Sequence, residues 1–345
     1  MREREYRLDI IRLLSTFLVV VIHISNYYCR YLPKVRTSSF VGASVFNSIA
    51  RISVPLFFMI SGALMLGRDI NVKKLMGRIG HFVFVLVVWT LVYVIFDIKY
   101  MGYTFAKEQY ITLIFDNLKP HLWFMYVIIG LYMVLPFARI LIKNMDRTLR
   151  RYFMVLWLVF CGGSLLLRII LEWFEIKTTL SYEIPIVQGT YYLGYFMAGR
   201  IIYERLQECN LPRKIWSLAI FVAATSVTVL GTISYSFRDK KFYNVFLSYR
   251  NLPIMLAAIS VFVFILSLPQ IKSERLKKVL AFLAPRLFGI YLIHIIFFDI
   301  LIKSVDMLKI NSFIGIPLSS LGIMLVSFVA VFVISLIPGV KKIIE

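Results

Sequence analysis

The stretch from Leu8 to Tyr28, LDIIRLLSTFLVVVIHISNYY, constrains this chain more than any other feature. About 20 apolar residues carry a helix across a bilayer. Hydrocarbon offers the backbone no partner but itself, so a run of this kind must be helical. It also contains Asp9, Arg12 and His23, residue types that are costly inside a membrane and mark functional positions there. Arg12 and His23 are separated by about three helical turns, so they share one face at roughly 16 Å along the axis. Asp9 and Asn26 fall on the same stripe, with only Ser15 and Thr16 between its charged positions. The remaining surface is Val, Ile, Leu and Phe, which predicts a helix facing lipid on one side and lining something polar on the other. An arginine near a helix end can instead snorkel to the headgroups, and Asp9 with Arg12 can form a plain interfacial ion pair. Neither explains His23, about 22 Å along from Leu8.

Comparable runs recur at about 45–66, 79–98, 121–142, 152–171, 189–203, 215–236, 252–271, 287–303 and 314–338. The chain is 60% hydrophobic and 17% charged, whereas soluble domains carry about 25% charged residues. The expected fold is therefore all-α: a polytopic membrane bundle of about ten transmembrane helices, forming a single domain over 1–345. The net charge of +21 reads first as a topology signal rather than a nucleic-acid signal, because cytoplasmic loops collect Lys and Arg. An N-in, C-in arrangement places GRDINVKKLMGR, KNMDRTLRR, ERLQECNLPRK and KSERLKKVLAFLAPR on the cytoplasmic side, with most of the Lys and Arg outside the segments. One basic patch, Arg238–Lys240–Lys241, then faces outward. Either the topology is locally different or the patch meets an anionic acceptor or lipid. The first run is too long, and too polar at Arg12 and His23, for a cleaved signal peptide. Cys29, Cys161 and Cys209 have no paired or metal-ligand spacing.

Further polar residues punctuate the other segments. In VFNSIARISVPLFFMISGALML, the residues Asn47, Arg51, Pro55 and Gly62 fall near one face. Arg51 and His23 both lie about 8–9 Å from the outer end of a core about 30 Å thick, so the two are expected to share a chamber. Arg51 can equally anchor at the outer headgroups. Pro55 frees a backbone carbonyl and can kink its helix. His121 and Trp123 open the fourth segment on the outer side; Trp123 alone would suit an aromatic belt. Arg168 precedes Glu172 and Glu175 in the fifth, and Phe105–Leu118 reads as an amphipathic surface stretch. Arg139 and Arg200, near the inner face, either snorkel or meet phosphates beside Arg12. LFGIYLIHIIFFDILIK buries His294 and Asp299. A histidine there should hydrogen-bond across helices or line a cavity. Four histidines without a supporting carboxylate cluster make no metal site.

The pairing of Arg12 with His23, together with RISVPLFFMISG (51–62), HLWFMYVIIGLYMVLPF (121–137) and GIYLIH (289–294), resembles the acyltransferase-3 family of integral membrane acyltransferases. HLWFMYVIIGLYMVLPF is especially similar to the branch containing the enterobacterial common antigen O-acetyltransferase. The resemblance implies about ten helices in a bacterial cytoplasmic membrane. It also implies acetyl-CoA or another acyl-CoA as the donor, and a hydroxyl of an envelope carbohydrate or lipid-linked sugar as acceptor. On that reading Arg12, with Arg200, meets the donor phosphates while Asp9 holds Arg12, and His294 is grouped with them around the donor. The Arg12–His23 separation matches the reach of an extended pantetheine arm. His23 then acts as general base or carries the acyl group itself. Arg51 stabilises the oxyanion or, with Asn26, His121 and Trp123, holds the acceptor. Asp299 is the carboxylate nominated to orient His23. The competing expectation is a carrier or flippase for a carbohydrate or small polar solute, since polar stripes on membrane helices serve transport equally well. A homo-oligomer is left open; nucleic acid is not an expected partner.

Overall fold

A computed structural model describes residues 4–104, 118–163, 167, 170–171, 174, 185–208 and 214–344, with backbone alone at 185–190. Twelve α-helices of at least ten residues lie among them: α1 (Tyr6–Arg30), α2 (Thr37–Ala50), α3 (Ser53–Met65), α4 (Val72–Phe96), α5 (Trp123–Asn144), α6 (Arg147–Trp157), α7 (Pro185–Glu208), α8 (Lys214–Arg238), α9 (Leu252–Leu266), α10 (Glu274–Leu283), α11 (Leu287–Ser304) and α12 (Ser312–Ser335). No strand occurs among the described residues. Eight helical stretches there are long and apolar enough to cross a membrane, so the chain is a multi-pass membrane protein. They match eight of the ten expected segments. Of the other two, 152–171 lies partly outside the described residues, as do Arg168, Glu172, Glu175, Cys209 and most of 105–118. The segment 189–203 lies within α7, which is long enough but carries Arg200, Glu204 and Arg205 toward its end and is not among the eight.

The first helix is central. α1 packs against α2, α3, α9, α10, α11 and α12, and between Glu5 and Cys29 none of its residues is exposed. The expected lipid-facing side of α1 is therefore covered by protein. Its apolar stripe packs inside the bundle, and the exposed apolar side chains include Leu91, Phe137, Leu230 and Leu325 on α4, α5, α8 and α12. Its start is fixed by Glu5, whose carboxylate accepts from the Arg7 amide and guanidinium, and by Arg7, which donates to the Leu266 and Leu268 carbonyls at 2.7 and 3.0 Å.

The second expected segment is broken into α2 and α3 at Arg51–Ile52, and Pro55 explains where. Proline has no N–H to donate and its ring crowds the carbonyl four residues earlier, here that of Arg51. The helix resumes with the Leu56 amide on the Ile52 carbonyl at 3.0 Å. α3 and α7 then cross at backbone contact. A Cβ on Gly62 would collide with the Phe196 carbonyl, and one on Gly199 with the Met59 carbonyl. Small residues at such crossings permit the close backbone approach that drives helix association in lipid.

Candidate active site

Two groups of cavities occupy opposite ends of the bundle. At the end where α1 finishes, a cavity of about 760 Å³ is lined by His23, Asn26, Arg51, His121 and Trp123, among others. These residues come from α1, the α2–α3 break and the start of α5. Where α1 begins, Arg12, Ser61, His81 and Tyr132 line a cavity of about 300 Å³. A neighbouring one of about 450 Å³ contains Arg4, Arg200, Tyr203, Glu204 and Lys277. Asp9 bridges the last two, since it pairs with Arg4 at 2.7 Å and with Arg12 at 3.2 Å. Arg200 pairs with Glu204 at 2.5 Å and donates to the Ala63 carbonyl at 3.2 Å. Arg12 and Arg200 therefore stand in adjoining cavities. Arg139 pairs with Asp69.

Phe124 and Tyr291 line both the 760 Å³ and the 300 Å³ cavities. With Phe57 they form an aromatic layer, their ring centroids 5.5 to 6.3 Å apart. One layer of side chains separates the Arg12 side from the His23 side.

The wall adjoins a cluster of three histidines. The rings of His23 and His294 are 5.2 Å apart, those of His121 and His294 also 5.2 Å, and those of His23 and His121 6.4 Å. Two of the three are held by backbone carbonyls of α11. His294 Nδ1 lies 2.6 Å from the Tyr291 carbonyl, and His121 Nε2 lies 3.3 Å from the Leu292 carbonyl. A carbonyl only accepts, so each of these nitrogens carries the proton. The opposite atoms, His294 Nε2 and His121 Nδ1, are buried without a hydrogen-bond partner among the described residues. In the neutral rings each is a free lone pair. The Leu292 carbonyl also accepts from the Tyr93 hydroxyl at 2.7 Å, and the Tyr291 hydroxyl donates to the His121 carbonyl. His23 is half-buried at the edge of this cluster and opens onto the 760 Å³ cavity.

Asp299 does not serve His23 in this arrangement. Its Oδ2 accepts from Lys119 Nζ at 2.8 Å, and Lys119 is also 2.7 Å from Asp97 Oδ1. Burial works against the Lys119 charge, but Asp299 and Asp97 outweigh it and raise its pKa above the ordinary lysine value. This ion cluster ties the end of α4 and the body of α11 to the turn that presents His121. His294, grouped with the donor residues from sequence, instead sits against His23 and His121. Trp123 is more than belt: its ring lies 5.4 Å from Tyr192 and 5.8 Å from Tyr249. Among the described residues, no group of three or more His, Cys, Asp or Glu is arranged to hold a metal ion.

A family model described as an acyltransferase domain, that of acyltransferase-3, matches residues 5–338. The chain belongs to the acyltransferase-3 family. No curated protein and no solved structure matches it. In this acyltransferase, Arg12 and His23 of the quoted sequence pattern face different cavities across the aromatic wall. Sequence reasoning missed Phe124 and Tyr291, whose types suggest only packing. It also missed Lys119 and Asp97, although a carboxylate buried on an apolar helix, as Asp299 is, calls for a cationic partner.

Proposed function

We propose that the protein moves an acetyl or other short acyl group from acyl-CoA, taken from the cytoplasm, to a hydroxyl of a cell-envelope carbohydrate or lipid-linked sugar. The membrane would be the bacterial cytoplasmic membrane. The segment 121–137 resembles the branch that acetylates enterobacterial common antigen, and supports placing the protein with it. The observation carrying this reading is the wall shared by the Arg12 and His23 cavities. A donor with a polyanionic head and a long arm fits such a division. Its phosphates would meet Arg12, held by Asp9, with Arg4, Arg200 and Lys277 in the adjoining space, by charge-assisted hydrogen bonds. Its arm would pass the wall, since Arg12 and His23 are roughly 16 Å apart along α1.

The chemistry then follows from the residues around His23. The imidazole removes the proton from the acceptor hydroxyl as that oxygen attacks the thioester carbon. A tetrahedral oxyanion forms, the carbon–sulfur bond breaks, and the departing thiolate takes the proton back from the imidazolium. Arg51 is the cation available to the oxyanion or to the acceptor. The bare nitrogens of His294 and His121, in place of Asp299, are the groups available to orient His23 or take up its proton. Direct acylation of His23 is the other route through the same atoms.

The test is transfer of labelled acetyl groups from acetyl-CoA to membrane carbohydrate, by the wild-type protein and by His23→Ala at equal protein level. Loss of a general base costs about 10²–10⁴-fold, so label should fall at least a hundredfold. Equal transfer by both proteins removes His23 from the chemistry. Cavities at both ends of a bundle also suit a carrier. No transfer by either protein, together with solute uptake into vesicles, would establish that reading.

A further inference from the structure

The 760 Å³ cavity has a charge imbalance that points to its ligand. Arg30, Arg51 and Lys241 line it, and among the described residues no Asp or Glu does. None of the three makes an ion pair among the described residues; Asp239, close enough to feel the Lys241 charge, is itself paired with Arg238 at 2.9 Å. Arg51 is half-buried; its Nε donates to Asn47 Oδ1 at 2.8 Å and its guanidinium carbon lies 5.6 Å from the Tyr249 ring centre. That leaves the terminal nitrogens, a planar fork suited to a carboxylate or phosphate. Lys241 belongs to the basic patch that the topology placed outward. The chain turns there at Lys240, whose φ of 49° lies in the left-handed region, and Lys241 follows on the cavity rim. Cations gathered round one concave site, with no acid among its described lining residues, focus a positive potential into it. A neutral sugar would leave that potential unanswered.

The rest of the lining suits a carbohydrate. Trp123 and Tyr249 present ring faces 5.8 Å apart at 31° to each other, and Asn26 offers an amide that both donates and accepts. Its volume lies within the range of ligand pockets, about 300–1,000 Å³.

We infer that the acceptor is an anionic carbohydrate, bearing a carboxylate or a phosphate that Arg51, Arg30 and Lys241 engage while its hydroxyl faces His23. This rests on the acyltransferase reading and narrows its substrate class. The anion has two possible sources: an acidic sugar, or the phosphate that links a sugar to its lipid carrier.

The test is equilibrium binding to the full chain in nanodiscs of zwitterionic lipid. The probes are a glucuronate-containing oligosaccharide, its carboxyl-reduced neutral twin, and the same neutral oligosaccharide carrying a terminal 1-phosphate. At least one charged probe should bind ten times more tightly than the neutral twin, and which one does so identifies the source of the charge. The preference should fall below threefold in Arg30→Gln/Lys241→Gln with an unchanged unfolding temperature, and Arg51→Lys should weaken it less than Arg51→Gln. Equal binding of all three probes, no binding of any, or a preference that survives the double substitution overturns the inference. The labelled-acetyl assay is independent of these measurements. Charge preference without any acyl transfer would sink the acyltransferase reading alone.

Discussion

Lys119 offers the most direct test of how the site is held. Its ammonium joins Asp97 at 2.7 Å and Asp299 at 2.8 Å, and all three side chains are at most 11% exposed. Replacing it with methionine keeps most of the packing and strands two carboxylates. Laid end to end, the two contacts put Asp97 Oδ1 and Asp299 Oδ2 about 5.5 Å apart at most. At an effective dielectric of about 20, two like charges at that distance repel by about 3 kcal/mol. The same repulsion acts in the wild type, where Lys119 offsets it; removing one partner of a buried pair costs about 3–5 kcal/mol in measured cases, and that range sets the expected magnitude.

The expected loss for Lys119→Met is therefore about 3–5 kcal/mol in reversible unfolding of the detergent-solubilised protein, read by tryptophan fluorescence. Acyl transfer should fall as well, because the turn carrying His121 loses its tie to α4 and α11. Adding Asp299→Asn removes the like-charge repulsion and should return about half of the loss. The neutral triple variant Lys119→Met/Asp97→Asn/Asp299→Asn should lie within about 1–2 kcal/mol of wild type, since removing a whole buried ion cluster is often close to neutral. A Lys119→Met protein as stable as wild type, or one that Asp299→Asn fails to rescue, would refute the clamp.

Gly62→Ala and Gly199→Ala each place a methyl group against a backbone carbonyl of the facing helix. Each should cost about 1–3 kcal/mol, measured by the same unfolding titration, while Gly77→Ala, with open space around it, should cost nothing. Glu5 carries a pH signature. Burial raises its pKa, but hydrogen bonds from Arg7 and Gln270 outweigh this and hold it below the usual carboxylate value. A lowered folded-state pKa means that its contribution is complete above about pH 4.5 and fades as pH falls through the folded value. The stability gap between wild type and Glu5→Gln, about 1 kcal/mol at pH 7, should close below that range.

The helical segments were legible because lipid permits few solutions: an apolar run of sufficient length has to become a helix. The break before α3 was legible for a similar reason, since Pro55 marks the carbonyl it cannot serve. The environment of α1 was not. Lipid tails are as apolar as leucine, so Val, Ile and Leu look the same whether they face lipid or α2, α9 and α12. The site divided along the same line. Arg12, His23 and Arg51 stood out as polar residues on apolar helices, and each does line a cavity. Their neighbours depended on tertiary contacts that no local spacing encodes. Lys119 and Asp299 are 180 positions apart, and His294 reaches His23 only because α11 packs against α1.

The wall between the cavities is chemically useful only while it stays closed for most of the time. On the proposed reading it would keep water from the thioester, as an enclosed site must. On that reading a donor arm would displace one of its rings, and the two shared rings differ in what that displacement breaks. Tyr291 is anchored: its hydroxyl bonds the His121 carbonyl and its own carbonyl accepts from His294. Moving the ring would break the bond to the His121 carbonyl, while the main-chain carbonyl that His294 contacts stays in the helix. Phe124 has no side-chain polar group to release. Its ring meets Phe57, Phe58 and Tyr291 at 4.9 to 5.7 Å between centroids, all contacts that slide more readily than hydrogen bonds break. Phe124 also lies at the start of α5, three residues beyond His121, where the Lys119 cluster holds the turn before it. The ion cluster thus holds the turn before Phe124, the Tyr291 hydroxyl holds the histidine side, and of the two rings shared by both cavities Phe124 is the one that no polar contact restrains.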